Sequence, residues 1–304
     1  MEELFAHRQP ALFFYSPFNF IREINAGTQL ALFRAARLDD KPYFGMAGTD
    51  GECRFYFDPL AWDTDYFGLV SHKLQVVLYT TTDLAYLTVA CRAFLAHLAS
   101  IGSQYCFLEI PAEDIFLIQA LNMAGFKLVE TRLTYYRKVT DYGYPERFPV
   151  RTATLDDAQD LQGVARTMRN NFDRFHADPV FSVESADEFL ATYVGESVRG
   201  FTDVVLVPDY PGEAPGAFLT ANYFRDQWAA LGIPVAKMVL SAVSDHTRRG
   251  WYKKLISEMS YHLRDQGAAY VFMNTQATNR AVFHTWESLG YKLGSTTHVL
   301  SHSA

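Results

Sequence analysis

From Asp245 to Met259 the chain reads DHTRRGWYKKLISEM, a basic turn that closes on Gly250 and runs into a helical pattern. Such a turn can hold an anion. The first N–H groups of a helix lack intrahelical partners, and with about half a positive charge from the dipole they converge on one point. Arg248 and Arg249 add guanidinium groups suited to phosphate oxygens, and Thr247, Trp251 and Tyr252 flank the glycine. The run before the turn, VAKMVLSAVS, is nearly all apolar or small. It reads as a central strand whose open carboxyl end, with Ala242 and Val243, lies beside the turn. Further on, MNTQATNRAVFHTWESLGYKL sets Asn279 and Trp286 seven residues apart on one helix face. One site can collect the turn, the strand end and both side chains. The alternative is that the arginines are solvated and the glycine merely turns the chain.

A second group sits in FDRFHADP, which packs Asp173, Arg174, His176 and Asp178 beside Phe172 and Phe175. That mixture suits a sugar nucleotide, with arginine for phosphate, aromatic faces for rings, and carboxylate and imidazole for hydroxyls and an amine. Equally, it reads as a solvated loop whose phenylalanines tuck into the core. An amine attacks only when neutral, and His176 has the ordinary pKa of a general base. His246, in the turn, and His284 are its rivals; His284 lies about 140° around the helix from Asn279 and faces away. In LAWDTDYFG, Trp62, Asp63 and Phe67 are candidates for a substrate-facing wall, or are a plain turn with core aromatics.

The elements that must position these groups follow from hydrophobic periodicity. LQVVLYTT reads as a strand, TDLAYLTVACRAFLAHLASIG as a helix stopped by Gly102, YCFLEIP as a strand, EDIFLIQALNMAG as a helix and FKLVETRLTYYRKV as a strand. A Gly- and Pro-containing junction, VTDYGYPERFPVRTATLDD, puts a domain boundary near Pro149, giving domains 1–148 and 149–304. The second half offers helices around 155–170 and 184–198, strands FTDVVLVPD and AFLTANYFRD about the turn YPGEAPG, and strand VAKMVLSAVS. Helix 250–265, strand AAYVFMNTQ, helix NRAVFHTWESLG and strand YKLGSTTHVLS complete it. The halves end alike: MAGFKLVETRL at 123–133 matches SLGYKLGSTTH at 288–298, each after a strand and a short amphipathic helix. The pattern is that of a duplicated α/β unit, or of convergence on a common helix-Gly-strand junction.

Bulk composition narrows the partners. With 304 residues, 49% of them hydrophobic, the chain can bury a sizeable core, and a net charge of −7 disfavours nucleic acid and anionic membranes. No apolar run reaches the roughly 18 residues of a membrane span, and no leader is recognisable, so a cytoplasmic location is expected. Cys53, Cys91 and Cys106 are too scattered for a disulfide framework or zinc site and are expected to be buried apolar residues; no metal is expected.

These residues carry a resemblance. Strand, TRRGWYKKLI turn and helix, strand, N..V...W..LGY helix and final strand resemble the acyl-CoA-binding half of a GNAT-superfamily N-acetyltransferase, over residues 151–304. More narrowly, LAWDTDYFG, NNFDRFHADPVFS followed by YVGESVRGFTDVVLV, and TQATNRAVFHTWESLGY are similar in order and spacing to the dTDP-fucosamine acetyltransferase family and related sugar-nucleotide enzymes. The resemblance implies an α/β (α+β) fold of tandem GNAT-like mixed sheets flanked by helices, the N-terminal copy degenerate. It implies direct acyl transfer from acetyl-CoA or another acyl-CoA to an amino sugar, with a small-molecule substrate, an amino-sugar nucleotide, and a second copy in a homodimer as the expected partners. The coenzyme would meet Ala242, Val243, Thr247, Arg248, Arg249, Gly250, Trp251, Tyr252 and Asn279, and the acceptor Asp63, Asp173, Arg174 and Asp178. Transfer to a protein N-terminus, an amino acid or a polyamine is the alternative within this superfold, and a non-catalytic acyl-CoA-binding module the alternative outside it. Two positions depart from the pattern. The GNAT turn reads Q/R-x-x-G-x-G/A, where this chain has Thr247 and Tyr252, and Trp286 stands where a tyrosine commonly protonates the departing thiolate. An indole donates a hydrogen bond but is no general acid.

Overall fold

The computed structural model describes residues 1–167, 170–247 and 250–303. In chain order they form α1 (Glu2–Leu12), α2 (Ala26–Arg37), β1 (Tyr43–Gly48), β2 (Gly51–Pro59), α3 (Ala61–Phe67), β3 (Ser71–Tyr79), α4 (Leu84–Ser100), β4 (Tyr105–Pro111), α5 (Ile115–Ala124) and β5 (Lys127–Lys138). There follow β6 (Val150–Thr152), α6 (Ala158–Thr167), α7 (Arg174–Ala177), α8 (Val183–Glu196), β7 (Val204–Pro208), β8 (Ala217–Asn222) and α9 (Arg225–Leu231). The last elements are β9 (Val235–Val243), α10 (Trp251–Asp265), β10 (Tyr270–Gln276), α11 (Arg280–Ser288) and β11 (Lys292–Ser303). This is the mixed α/β class that the periodicity predicts.

Two compact units result, Met1–Arg132 with the segment from Ser295 on, and Leu133–Gly294. The division between these units falls inside β5 and β11. The cause is strand pairing: Thr297–Ser303 of β11 lies antiparallel to Tyr105–Pro111 of β4. In strand order the first unit therefore holds β1-β2-β3-β4-β11 and the second β10-β9-β8-β7-β6, with β5 and β11 each divided between the units.

The two units repeat one plan. β3 begins at 71 and β9 at 235, β4 at 105 and β10 at 270, α5 at 115 and α11 at 280, β5 at 127 and β11 at 292, a near-constant offset. In each copy the parallel pair is matched at its amino end alone, Ser71–Lys73 with Tyr105–Phe107 and Val235–Lys237 with Tyr270–Phe272. The helix after the first strand differs. Asp83 caps α4, its carboxylate accepting from the Ala85 N–H at 2.8 Å, whereas α10 starts at Gly250 with no side-chain cap among the described residues.

In the second unit α10 and α11 cover one sheet face, burying Leu255, Met259, Leu263 and Trp286 against Met238, Val271 and Met273. On the opposite face α6 and α8 bury Leu161, Val164 and Val194 against Val205, Phe218 and the partly buried Leu240 and Ala242. Truncating a core leucine or methionine such as Leu255 or Met259 to alanine would cost about 2–5 kcal/mol.

Candidate active site

The site begins with a parity change in β9. Ala236 and Met238 face α10, yet Leu240 and Ala242 face α6 and α8. Pairing with β8 explains it: Leu219 lies opposite Ser241 and Ala221 opposite Met238, so Thr220 alone faces Val239 and Leu240. This is a β-bulge, which frees one backbone group and re-aims the side chains beyond it. The fully buried Thr220 meets the displaced group, its Oγ1 accepting from the Leu240 N–H at 3.0 Å. Past the bulge, Ser241 turns toward α10. On its other edge β9 is paired to β10 only as far as Lys237, and Val239 to Val243 are half-buried although the strand is central. The two strands thus open into a slot bordered by unpaired backbone.

At the mouth of the slot the turn is held from within. Gly216 O accepts from the Ser244 N–H at 2.8 Å and from the Thr247 hydroxyl at 2.7 Å, while the Ser244 and Thr247 hydroxyls meet at 2.7 Å. Thr247, expected at the coenzyme, therefore spends its hydroxyl on the turn itself. Gly250 has φ 86° and ψ 3°, a left-handed conformation costly for a side chain. Among the described residues, no heavy atom outside its chain neighbours lies within 4 Å of an ideal Cβ there, leaving open space in front of the helix. Trp251 points the other way: it is 0% exposed and stands edge-on to Tyr210 at 5.6 Å, so only its backbone faces the mouth. Arg248 and Arg249 lie outside the described residues.

Tyr252 explains the missing glycine and the tryptophan together. Its ring turns inward, and its hydroxyl accepts from Trp286 Nε1 at 2.9 Å and also hydrogen-bonds Ser241. Burial pushes the phenol well above its ordinary range, only partly offset by those two bonds. Trp286 is 2% exposed and stands edge-on to Tyr135, so its one polar atom is spent on Tyr252. The polar group presented near the slot is the phenol. Asn279 sits at the N-cap of α11 without a side-chain cap bond, its amide left for other partners.

The second group of predicted residues is brought together differently. Asp173 caps α7, accepting from the Phe175 and His176 N–H groups. His176 Nδ1 lies 2.8 Å from Asp173 Oδ2 and Nε2 3.1 Å from Asp187 Oδ1, with 1% of the side chain exposed. Burial disfavours the imidazolium, but the hydrogen bonds and charges of Asp173 and Asp187 outweigh it and raise the pKa. With both nitrogens engaged, His176 has no lone pair for an amine. The expected base is a clamp that fastens α7 to α8. Arg174 stacks on Phe175, its guanidinium 4.1 Å from the ring centroid, and Asp178 is buried, accepting from the Val180 N–H. His284 is exposed and 3.3 Å from Glu287; His246 is exposed in the turn.

Asp63 belongs to α3 of the first unit, where Trp62 stacks on Tyr66 at 5.2 Å. Burial raises all three cysteines, to about 12 in each case, so their thiols stay protonated. No group of three or more metal-ligating side chains occurs among the described residues, and no helix among them is long and apolar enough to cross a membrane. Sequence reasoning missed Asp187, Ser241, Gly216 and Thr220. The last two carry no motif; Ser241 was legible only as part of a strand, because its direction depends on the bulge.

A parallel strand pair that opens at its carboxyl end, with a left-handed glycine starting a helix that has no side-chain cap among the described residues, defines the site of this α/β protein. No family model and no curated protein matches the sequence. Solved structures do. A GCN5-related N-acetyltransferase from Sphaerobacter thermophilus is similar with a TM-score of 0.56 at 11% identity, over 99% of this chain and 93% of that one. One from Kribbella flavida gives 0.52 at 14% identity, over 91% and 95%. A glucosamine N-acetyltransferase region of a fungal multi-domain GH3 β-N-acetylglucosaminidase gives 0.60 at 11% identity, over 98% of this chain and 37% of that longer one. The chain has the GCN5-related N-acetyltransferase fold.

Proposed function

We propose that the second unit binds an acyl-CoA, in the first instance acetyl-CoA, and transfers its acyl group directly to a primary amine. The observation that carries this reading is the glycine-started helix α10, without a side-chain cap among the described residues, at the mouth of the β9–β10 slot. Its first turn holds Lys253 and Lys254 and no acidic residue, a placement that opposes the helix dipole unless an anion lies in front. A coenzyme pyrophosphate would sit there, on the N–H groups of Trp251 and Tyr252 and on Arg248 and Arg249, with Asn279 reaching it from α11. Its pantetheine arm would enter the slot as an added strand against Ala242 and Val243. Backbone N–H groups at the bulge would hold the carbonyl oxygen as charge develops. The amine nitrogen bonds to the carbonyl carbon, the C–S pair leaves with sulfur, and the amine's proton passes to water at the half-exposed end of β9. Tyr252 would donate its hydroxyl hydrogen bond to the departing thiolate, with Trp286 as its positioning residue. An unstabilised thiol has pKa about 8.5 and leaves tolerably well, so this donor accelerates the step rather than enabling it.

An amino sugar, nucleotide-linked, is the favoured acceptor. Support comes from the three stretches similar to sugar-nucleotide acetyltransferases and from the glucosamine N-acetyltransferase region among the structural neighbours. In this reading Asp173, Arg174 and Asp178 shape the acceptor loop, and His176 holds the loop rigid. The alternative of a non-catalytic acyl-CoA-binding module is favoured by one observation, the indole at the position usual for a tyrosine. A thiol-release assay with acetyl-CoA and a panel of amino-sugar nucleotides, amino acids and polyamines decides between them. Turnover with an amino sugar supports the proposal, and tight acetyl-CoA binding with no turnover on any amine refutes it. Tyr252→Phe should lower kcat about ten- to a hundredfold with acetyl-CoA affinity retained.

A further inference from the structure

Asn274 lies on β10 two residues beyond the last residue paired to β9, and its Oδ1 is buried with no hydrogen-bond partner among the described residues. A buried acceptor left unmet costs about 1–3 kcal/mol, and such atoms call for an explanation. Its direction follows from strand alternation. Val271 and Met273 enter the core beneath α10 and α11, so Phe272, Asn274 and Gln276 point to the other face. Phe272 there stacks on Phe224, and the Gln276 side-chain oxygen accepts from Asn170 Nδ2 at 2.6 Å, which ties the loop after α6 to the strand end. Asn274 thus lies on the stretch of β10 that lines the slot, past the last pair Phe272↔Lys237. The phosphate-facing helix end, Tyr252 and Trp286 all belong to the α10 side.

We propose that Asn274 Oδ1 receives an N–H of the acceptor amine, making it a substrate-binding residue that sets the nucleophile against the slot from the α6–α8 side. The inference rests on the acyl-transfer reading above. A ligand entering from the helix end reaches the bulge from one face, which leaves the opposite face for the nucleophile. A neutral carboxamide suits this role, since it accepts an N–H and leaves the nitrogen lone pair for the carbonyl, without the charge that would hold the amine as ammonium.

Asn274→Ala and the shape-matched Asn274→Leu test this with acetyl-CoA and, in turn, D-glucosamine, spermidine and L-lysine as amine probes. The expected result is an amine KM raised about tenfold, acetyl-CoA Kd unchanged within twofold, and a Tm equal to or above wild type, because the apo protein loses an unmet polar atom. Loss of acetyl-CoA affinity with an unchanged amine KM would place the donor on the coenzyme's amides and overturn the assignment. A Tm lowered by more than about 3 °C in both variants would show that Oδ1 is satisfied within the protein, by an ordered water or a neighbour, and would also overturn it. Wild-type turnover with an unaltered amine KM in the variants sinks this inference alone. Absence of wild-type turnover on every amine sinks it together with the reading on which it rests.

Discussion

Gly216→Ala tests the turn from a residue that is not itself an expected coenzyme contact. Gly216 has no left-handed φ, so alanine fits its backbone and should gain roughly 0.4–1 kcal/mol by restricting the unfolded chain. Against this, the new Cβ would stand 2.1 Å from Thr247 Oγ1 and 2.9 Å from Ser244 Oγ, with Thr247 Cβ at 3.4 Å. The Thr247 hydroxyl must swing away, giving up its bonds to Gly216 O and to Ser244. Two net hydrogen bonds are worth about 1–3 kcal/mol, so the loss outweighs the gain and the turn is left about 1–2 kcal/mol less stable. If the turn must be ordered to bind, acetyl-CoA affinity falls about 5- to 30-fold by calorimetry. The control is Thr247→Ala, which removes the colliding atom, and neighbours that share one contact do not add. Gly216→Ala combined with Thr247→Ala should therefore bind acetyl-CoA as Thr247→Ala alone does. Unchanged affinity in Gly216→Ala, or simple additivity in the pair, would refute the argument.

Three further outcomes follow from the same geometry. Gly250→Asp should weaken acetyl-CoA tens-fold, through the cost of a left-handed side chain and a carboxylate in the anion's place; wild-type affinity in a folded variant would put the coenzyme elsewhere. Titration calorimetry should find one acetyl-CoA per chain, because the Asp83 carboxylate already occupies the N-terminus of α4, and two equal sites would contradict that. The His176 clamp raises the folded pKa above the ordinary 6.5, so its stabilisation is complete below that value and is lost as pH rises through the folded pKa. Hydrogen exchange over residues 170–190 should speed up in that upper range in wild type and lose this dependence in His176→Gln; a profile unaltered by the substitution would remove the clamp.

Much of the architecture was legible because apolar periodicity carries it. The longer strands and helices from LQVVLYTT onward lie where the patterns put them, whereas β6, α7 and α9 were not read, the last falling partly in a run read as strand; Gly250 was recognisable as a turn residue whose conformation matters. The first sixty residues gave less to read: α1 carries Pro10 inside it, and its buried Leu4, Arg8 and Leu12 mix charge with apolar groups. Three features depend on long-range geometry that no local pattern records. The bulge at Val239 and Leu240 exists only relative to Thr220. The His176 clamp needs Asp187, on a different helix. Trp286 and Tyr252 read as two separate departures from a motif, and only their 2.9 Å contact makes them one arrangement.

The route of β11 has a consequence for how the chain is made. The first unit's fifth strand, Thr297–Ser303, pairs with β4, which ends at Pro111. At a ribosomal rate of about 5–20 residues per second, roughly 10–40 s separate the emergence of those two strands. Throughout that interval the outer edge of β4, with its buried run Cys106, Phe107 and Leu108, has no native partner, and unpaired apolar edges recruit other strands. The half synthesised first is thus the half completed last.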